Sequence, residues 1–243
     1  MVTDPKFDYT APPPGDPPGY DAPAYDDAPP SHDAPGYSAG PSSSSSTSSF
    51  IPAPNIPACN HLLQQEKDTT LTGQYLLDVG LPASPAAASL PSFRDLKDAN
   101  LRFEVRDGVI RPEIWLAALR EKAPPTTRAR ITAKIRDGST NIVLHTPHPS
   151  MPRPRINLKV EQRDGDMYVA IPRSFEGTIK ITRRNGGFKL SDNIQARSRL
   201  LYSANGMSLY SLGAQVEEEL TDEVVIEKRD GTLMVMYDDE ARK

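Results

Sequence analysis

Residues 156–165 read Ile156-Asn157-Leu158-Lys159-Val160-Glu161-Gln162-Arg163-Asp164-Gly165. Ile156, Leu158 and Val160 fall on one side of an extended chain and Asn157 and Lys159 on the other. That period of two is the mark of a strand with one buried and one wet face. Asp-Gly then follows, a pair that admits a positive φ and so a sharp reversal. The same grammar recurs at Asp107-Gly108, Asp137-Gly138, Asn185-Gly186, Asn205-Gly206 and Asp230-Gly231. Thr178-Ile179-Lys180-Ile181-Thr182 alternates in the same way; Ile131, Ala133 and Ile135 make a third such face, and Val224 with Ile226 a fourth. Leu233-Met234-Val235-Met236-Tyr237 is apolar on both faces, as expected of a strand between two packed layers. These units predict a single all-β domain over residues 69–240.

Two architectures fit. In a two-sheet β-sandwich, the strands flanking each turn pair with each other as hairpins. In a β-solenoid, each unit is a coil that pairs with the coils above and below it. The uneven spacing of the turns favours the first and the repeated turn-then-strand order favours the second. Helical signals are few. Residues 113–121 are bounded by Pro112 and Pro124-Pro125, and Ile114-Trp115-Leu116 suits a strand as well as a helix. Residues 61–68 read as a linker, and 60–68 could form one helical turn.

Upstream the composition changes. Residues 1–60 hold 14 of the 25 prolines, with seven Asp against one Lys. So little apolar surface cannot offset chain entropy of roughly 1–2 kcal/mol per residue, so this stretch is expected to be a disordered, acidic tail. Asp-Ala-Pro occurs at 21–23, 27–29 and 33–35, and a run of serines from Ser42 to Ser49 is broken only by Thr47. Pro17-Pro18-Gly19-Tyr20 matches the P-P-x-Y ligand of WW domains. Pro17 and Pro18 pre-set the extended polyproline conformation and Tyr20 would fill the specificity pocket, which makes a WW-domain ubiquitin ligase the candidate partner. The bland alternative is a solubilising tail.

The remaining residues carry 27 basic and 25 acidic side chains, too even a balance for nonspecific nucleic-acid binding. Cys59 is the single cysteine, so no disulfide can form within the chain. The opening Met1-Val2-Thr3-Asp4-Pro5 has no apolar stretch of the signal-peptide kind, and no run approaches the ~20 apolar residues of a membrane helix. The expectation is a cytoplasmic or otherwise intracellular protein.

Ile171-Pro172-Arg173-Ser174-Phe175-Glu176-Gly177 resembles the L-P-R-S-F-x-G signature of a fungal family of domain-of-unknown-function proteins. Ile171 stands for Leu, and Glu176 for the usual basic residue. Thr72-Gly73-Gln74-Tyr75, Asn100-Leu101, Asp222-Glu223 and Asp238-Asp239-Glu240 match in order, so the resemblance covers about residues 69–240. The family is similar to adhesin-type β-repeat domains, which implies the solenoid. It implies no activity, cofactor or catalytic residue.

Within the heptapeptide, structural roles come first: Pro172 ends a strand or sits at an edge, Phe175 plugs the core, Gly177 marks a bend, and Arg173 caps exposed carbonyls; a binding role for Arg173 and Ser174 is the alternative. His145-Thr146-Pro147-His148 has no Cys or carboxylate at ligand spacing, so no metal is expected. No nucleophile elbow, phosphate-cradling loop or paired-carboxylate motif is present. Arg183-Arg184, and Arg153 with Arg155, read as solvated strand ends, Glu217-Glu218-Glu219 as a charged loop, and Trp115 as a core anchor. The leading functional expectation is a non-catalytic protein-interaction module or scaffold with a recruiting tail and no cofactor. The alternative is a hydrolase-like or carbohydrate-active enzyme with a loop-built site.

Overall fold

A computed structural model describes residues 52–82, 99–148, 150–213 and 221–241, all within the second of the chain's two units, 46–243. Pro17, Pro18 and Tyr20, the Asp-Ala-Pro repeats and Glu217–Glu219 lie outside them. The described chain is nearly all β. Its strands are β1 (Ala58–Cys59), β2 (Leu62–Glu66), β3 (Thr69–Leu77), β4 (Leu101–Leu116), β5 (Arg128–His145), β6 (Arg155–Asp164), β7 (Met167–Ile171), β8 (Gly177–Arg183) and β9 (Phe188–Leu190). A six-residue helix, α1 (Asp192–Arg197), precedes β10 (Ser198–Ala204), β11 (Met207–Leu212), β12 (Asp222–Lys228) and β13 (Leu233–Tyr237). No helix among the described residues is long and apolar enough to cross a membrane.

Strand pairing decides between the two expected architectures. β6 and β7 flank Asp164-Gly165, yet they do not pair with each other: β6 lies between β5 and β12, and β7 between β5 and β13. These ladders are parallel, the pattern of stacked coils. Each coil folds over at its Asx-Gly corner into two legs. The first legs stack in the order β2, β4, β5, β6, β12, β8, and the second legs in the order β3, β4, β5, β7, β13, β9, with β4 and β5 each running through both. The inward faces of both legs form one core, to which Phe103, Ile131, Leu158, Ile179, Val224, Val169 and Val235 all belong. The solenoid's parallel stacking thus encloses a core between two layers.

The corner itself explains why glycine is needed. In Gly138, φ is +136°, and a Cβ there would lie 1.8 Å from the Gly108 carbonyl oxygen. The same close approach links Gly108 to Thr69, Gly165 to Gly138, Gly231 to Gly165 and Gly186 to Gly231. The corners therefore stack directly on one another, with no room for a side chain between them. Asn205-Gly206 differs. It joins β10 and β11, which pair antiparallel with Ala204 opposite Met207, and both Asn205 (φ 51°) and Gly206 (φ 75°) are left-handed. That is the two-residue hairpin the dipeptide is known for. Of the six pairs, five are coil corners and one is a hairpin turn.

One expectation needs correction, and one open choice is decided. Residues 62–66, within the stretch expected as a linker or helical turn, form strand β2, paired in parallel with Leu101–Val105 of β4. Its backbone groups find partners on the edge of β4, and half-buried Leu62 packs against the core. The 113–121 stretch continues β4 to Leu116, where Ile114, Trp115 and Leu116 are all buried.

Candidate functional site

The residue before each corner is basic. Reading along the stack gives Lys67-Asp68-Thr69, Arg106-Asp107-Gly108, Arg136-Asp137-Gly138, Arg163-Asp164-Gly165, Arg229-Asp230-Gly231 and Arg184-Asn185-Gly186. Parallel, in-register pairing turns a motif scattered through the sequence into one continuous row of cations, spaced by the strand separation of about 4.8 Å. The arginines line an open groove of about 1010 Å³ that runs across the first legs, from Gln65 on β2 to Gly206 in the hairpin turn.

The groove has a second wall. Glu104, Lys134, Glu161, Glu227 and Thr182 lie side by side on adjacent strands, two residues before the cation row. Lys159 bridges Glu161 at 2.6 Å and Glu227 at 3.4 Å. The hydrogen bond from Lys159 holds the Glu161 carboxyl below the usual glutamate range, against the opposing effect of burial. Leaving aside buried Lys228, seven Lys or Arg side chains and four glutamates line the groove among the described residues. The groove is a cationic strip with an acidic margin.

The corner aspartates orient the arginines. Asp107 meets Nε of Arg106 at 3.6 Å, Asp137 meets Nε of Arg136 at 3.2 Å, and Asp230 meets Nε of Arg229 at 3.3 Å. In these three rungs the aspartate takes the Nε side of the guanidinium. Arg163 is more fully used, with Nε on Asp164 at 2.7 Å and Nη2 on Asp137 at 2.8 Å. At the Asn185 rung the acid is missing, because Asn185 instead donates from Nδ2 to Asp230 at 2.7 Å.

Beneath the groove floor the inward row changes from apolar Val105 and Ile135 to polar Gln162 and Lys228, all buried. Gln162 donates from Nε2 to the carbonyls of Gly138 (2.8 Å) and Asp164 (2.9 Å), and Lys228 donates from Nζ to that of Gly165. These bonds satisfy corner carbonyls that the bent backbone cannot pair. Burial pushes the Lys228 ammonium below the usual lysine range, against the pull of Asp166, Asp164 and Asp230.

Away from the groove, His145 is 1% exposed and stacks on Trp115 with ring centroids 4.7 Å apart. Its Nδ1 faces Asp238 at 2.9 Å and its Nε2 faces Glu113 at 3.0 Å. Both ring nitrogens are therefore engaged and shielded, so the imidazole is a cross-strand clamp joining β4, β5 and the segment after β13. His148 lies apart, its Nδ1 on Ser150 at 2.7 Å. Among the described residues, no group of three or more His, Cys, Asp or Glu is placed to hold a metal ion.

In the heptapeptide, Pro172 directly follows β7, Phe175 is fully buried, and Gly177 sits so close to the Asp222 carbonyl that a Cβ would fall 1.8 Å from it. Arg173 bonds the Asp239 carboxylate at 2.9 Å and lies over the Tyr237 ring at 4.7 Å. It thus meets a carboxylate where a carbonyl was expected. Ser174 shares a hydroxyl contact of 3.0 Å with Thr146. Arg153, read as a solvated strand end, is instead the largely shielded partner of buried Asp222. Its Nη1 and Nη2 donate to that carboxylate at 2.9 and 2.6 Å, and Nη2 also reaches the Ser174 carbonyl. Asp222 further accepts from the backbone N–H of Ile156 and Glu176, so one fully buried carboxylate ties β6, the loop before β8, and β12 together. None of the heptapeptide residues lines the groove, whereas Arg183 and Arg184 do.

A family model, described as a domain of unknown function (DUF7330), matches residues 60–240. The chain belongs to the DUF7330 family. The matched span starts just before β2 and takes in all six corner rungs, so the groove is wholly a feature of the DUF7330 domain. No curated protein matches the chain. Among solved structures, it is similar to that of "a putative cell adhesion protein from Clostridium sporogenes", at 11% identity and a TM-score of 0.33. The similarity covers 58% of this chain and 57% of that one, so the chain spans little more than half the length of this neighbour.

Proposed function

We propose that this chain is a non-catalytic protein-interaction module, in which the DUF7330 domain is a rigid β platform and the segment before it recruits partners. The observation that carries the reading is the groove: it is open along its length, crosses the whole coil stack, and presents repeated guanidinium groups. Among the described residues, the lining holds no His or Cys, and Thr182 is its one hydroxyl. Glu161 and Glu227 are direct cross-strand neighbours, the nearest thing to a glycosidase pair. Such a pair needs one carboxyl kept protonated, whereas Lys159 binds both and holds Glu161 as the anion.

Recruitment through Pro17-Pro18-Gly19-Tyr20 belongs to the same proposal, with WW-domain ubiquitin ligases as the partner class. The test is a pull-down from native lysate with the full chain, a chain lacking residues 1–60, and the Tyr20→Ala variant. Loss of specific partners on deletion, and of WW-domain proteins with Tyr20→Ala, is the expected outcome. An identical partner list in all three removes the recruiting segment from the reading.

A further inference from the structure

We propose that the groove binds an extended, acidic polypeptide segment laid across the coils and held side chain to side chain. This rests on the interaction reading and names the partner's chemistry. Arg106, Arg136 and Arg229 meet their aspartates through Nε. Among the described residues the Nη atoms of these three arginines have no hydrogen-bond partner, and Arg184 has no acid in its rung at all. A guanidinium anchored on one edge and open on the other is a preformed fork for a carboxylate, which it can take in two parallel N–H···O bonds. The aspartates do not cancel this capacity. Exposed ion pairs in water contribute little, so they orient the guanidinium without saturating it.

The dimensions fit a peptide. From β2 to β11 the groove crosses seven strands, or six separations of about 4.8 Å, giving about 29 Å. An extended chain at roughly 3.3 Å per residue covers that with eight or nine residues. It runs perpendicular to the strands and so cannot add to the sheet; recognition falls to side chains, every second of which faces the same wall. Acidic residues at alternate positions, about 6.6 Å apart, would reach some of the arginines in a row that repeats about every 4.8 Å, with small polar residues toward Glu104, Glu161 and Glu227.

The same wall argues against nucleic acid. A single strand is held in protein grooves largely by stacking of its bases on aromatic rings. Among the described residues this groove has no aromatic residue in its lining, and its four glutamates would repel a densely charged backbone.

The experiment uses the full chain and fluorescence anisotropy at low salt. The probes are a labelled octapeptide alternating Asp and Ser, its Asn-Ser counterpart, and an eight-nucleotide DNA single strand. The Asp-Ser peptide should bind at least tenfold more tightly than the other two, and added salt should weaken it. Arg136→Glu and Arg229→Glu should each weaken binding by about tenfold, as expected for losing a charge-assisted fork. Arg136→Lys, which keeps the charge but not the fork, should fall between. Among the described residues Arg184 makes no side-chain bond, so Arg184→Glu should leave the domain intact, as circular dichroism would verify, and should still weaken the peptide severalfold. Equal binding of the Asp and Asn peptides, tighter binding of DNA, or indifference to all three Glu variants overturns the proposal. If the peptide fails while the full chain still captures partners in the pull-down, the groove assignment alone is lost.

Discussion

A Cβ on Gly138 has nowhere to go, because the Gly108 carbonyl oxygen already occupies that space and φ is +136°. Two penalties therefore combine, a backbone conformation that costs an L-residue about 1–3 kcal/mol and a clash with rigid main chain. Gly138→Ala should cost about 3 kcal/mol or more in urea unfolding, whereas Gly187→Ala, with nothing within 4 Å of its Cβ position, should change stability by less than about 0.5 kcal/mol. Comparable midpoints for the two would refute the stacked-corner account. Asp222 tests the packing in a different way. Asp222→Ala strands the largely shielded Arg153 guanidinium and the N–H groups of Ile156 and Glu176, so a loss of about 3–5 kcal/mol is expected by the same measurement. Glu161 sets a pH dependence. Its folded carboxyl lies below the ordinary 4.5, through the Lys159 hydrogen bond, so the native state binds fewer protons than the unfolded state as acid is added. Its stabilisation is full above pH 4.5 and is lost as pH falls through the folded value. The urea midpoint should decline below pH 4.5, and Glu161→Gln should decline less steeply; identical slopes would exclude this residue as a source.

At the scale of the element, alternation was enough to assign the strands: Ile156, Leu158 and Val160, like Ile131, Ala133 and Ile135, all face the core. Asx-Gly marked six of the reversals, though not the one at Asp68-Thr69, and could not say which strands each would join. That depends on whether the flanking backbone meets itself or its neighbours, a long-range matter in which Asn205-Gly206 and Asn185-Gly186 look alike in sequence. The cation row was legible, since Arg precedes five of the six Asx-Gly pairs, and its absence at Asn205 separates the hairpin from the corners. The Arg153–Asp222 bond was not, because nothing local relates residues 69 positions apart. The sheet's last strand carries its own prediction. β10 pairs only with β11, and it bears Leu200, Leu201 and Tyr202, three of the five exposed large apolar side chains among the described residues. A bulge between Leu200 and Tyr202 distorts this edge, yet Arg199 is its only charge. Concentration-dependent association should run through β10, so Leu201→Lys should lower the scattering-derived mass at high protein concentration. An unchanged mass would place the contact elsewhere.

For the molecule as a whole, chain order and stacking order part most widely at β12 and β13, and that insertion controls assembly. β12 comes last but one in the chain, yet it sits between β6 and β8, just as β13 sits between β7 and β9. The stack cannot be completed from one end to the other as the chain is synthesised; residues 155–190 must wait for a segment some sixty residues away from β6. Non-local parallel pairing of this kind raises the loop-closure cost that precedes any gain from packing. A chain ending at Gly213 would lack both strands, leaving β6, β7, β8 and β9 each short of one neighbour, Val224, Ile226, Leu233, Val235 and Tyr237 missing from the core, and Arg153 without its acid. It should therefore lose the cooperative transition of the full chain. Hydrogen exchange should show residues 155–171 and 177–190 unprotected in the truncated chain and protected in the intact one. Native-like protection of those strands without β12 and β13 would mean that the earlier coils close on each other directly, and the inserted strands would then be an addition to the fold and not its keystone.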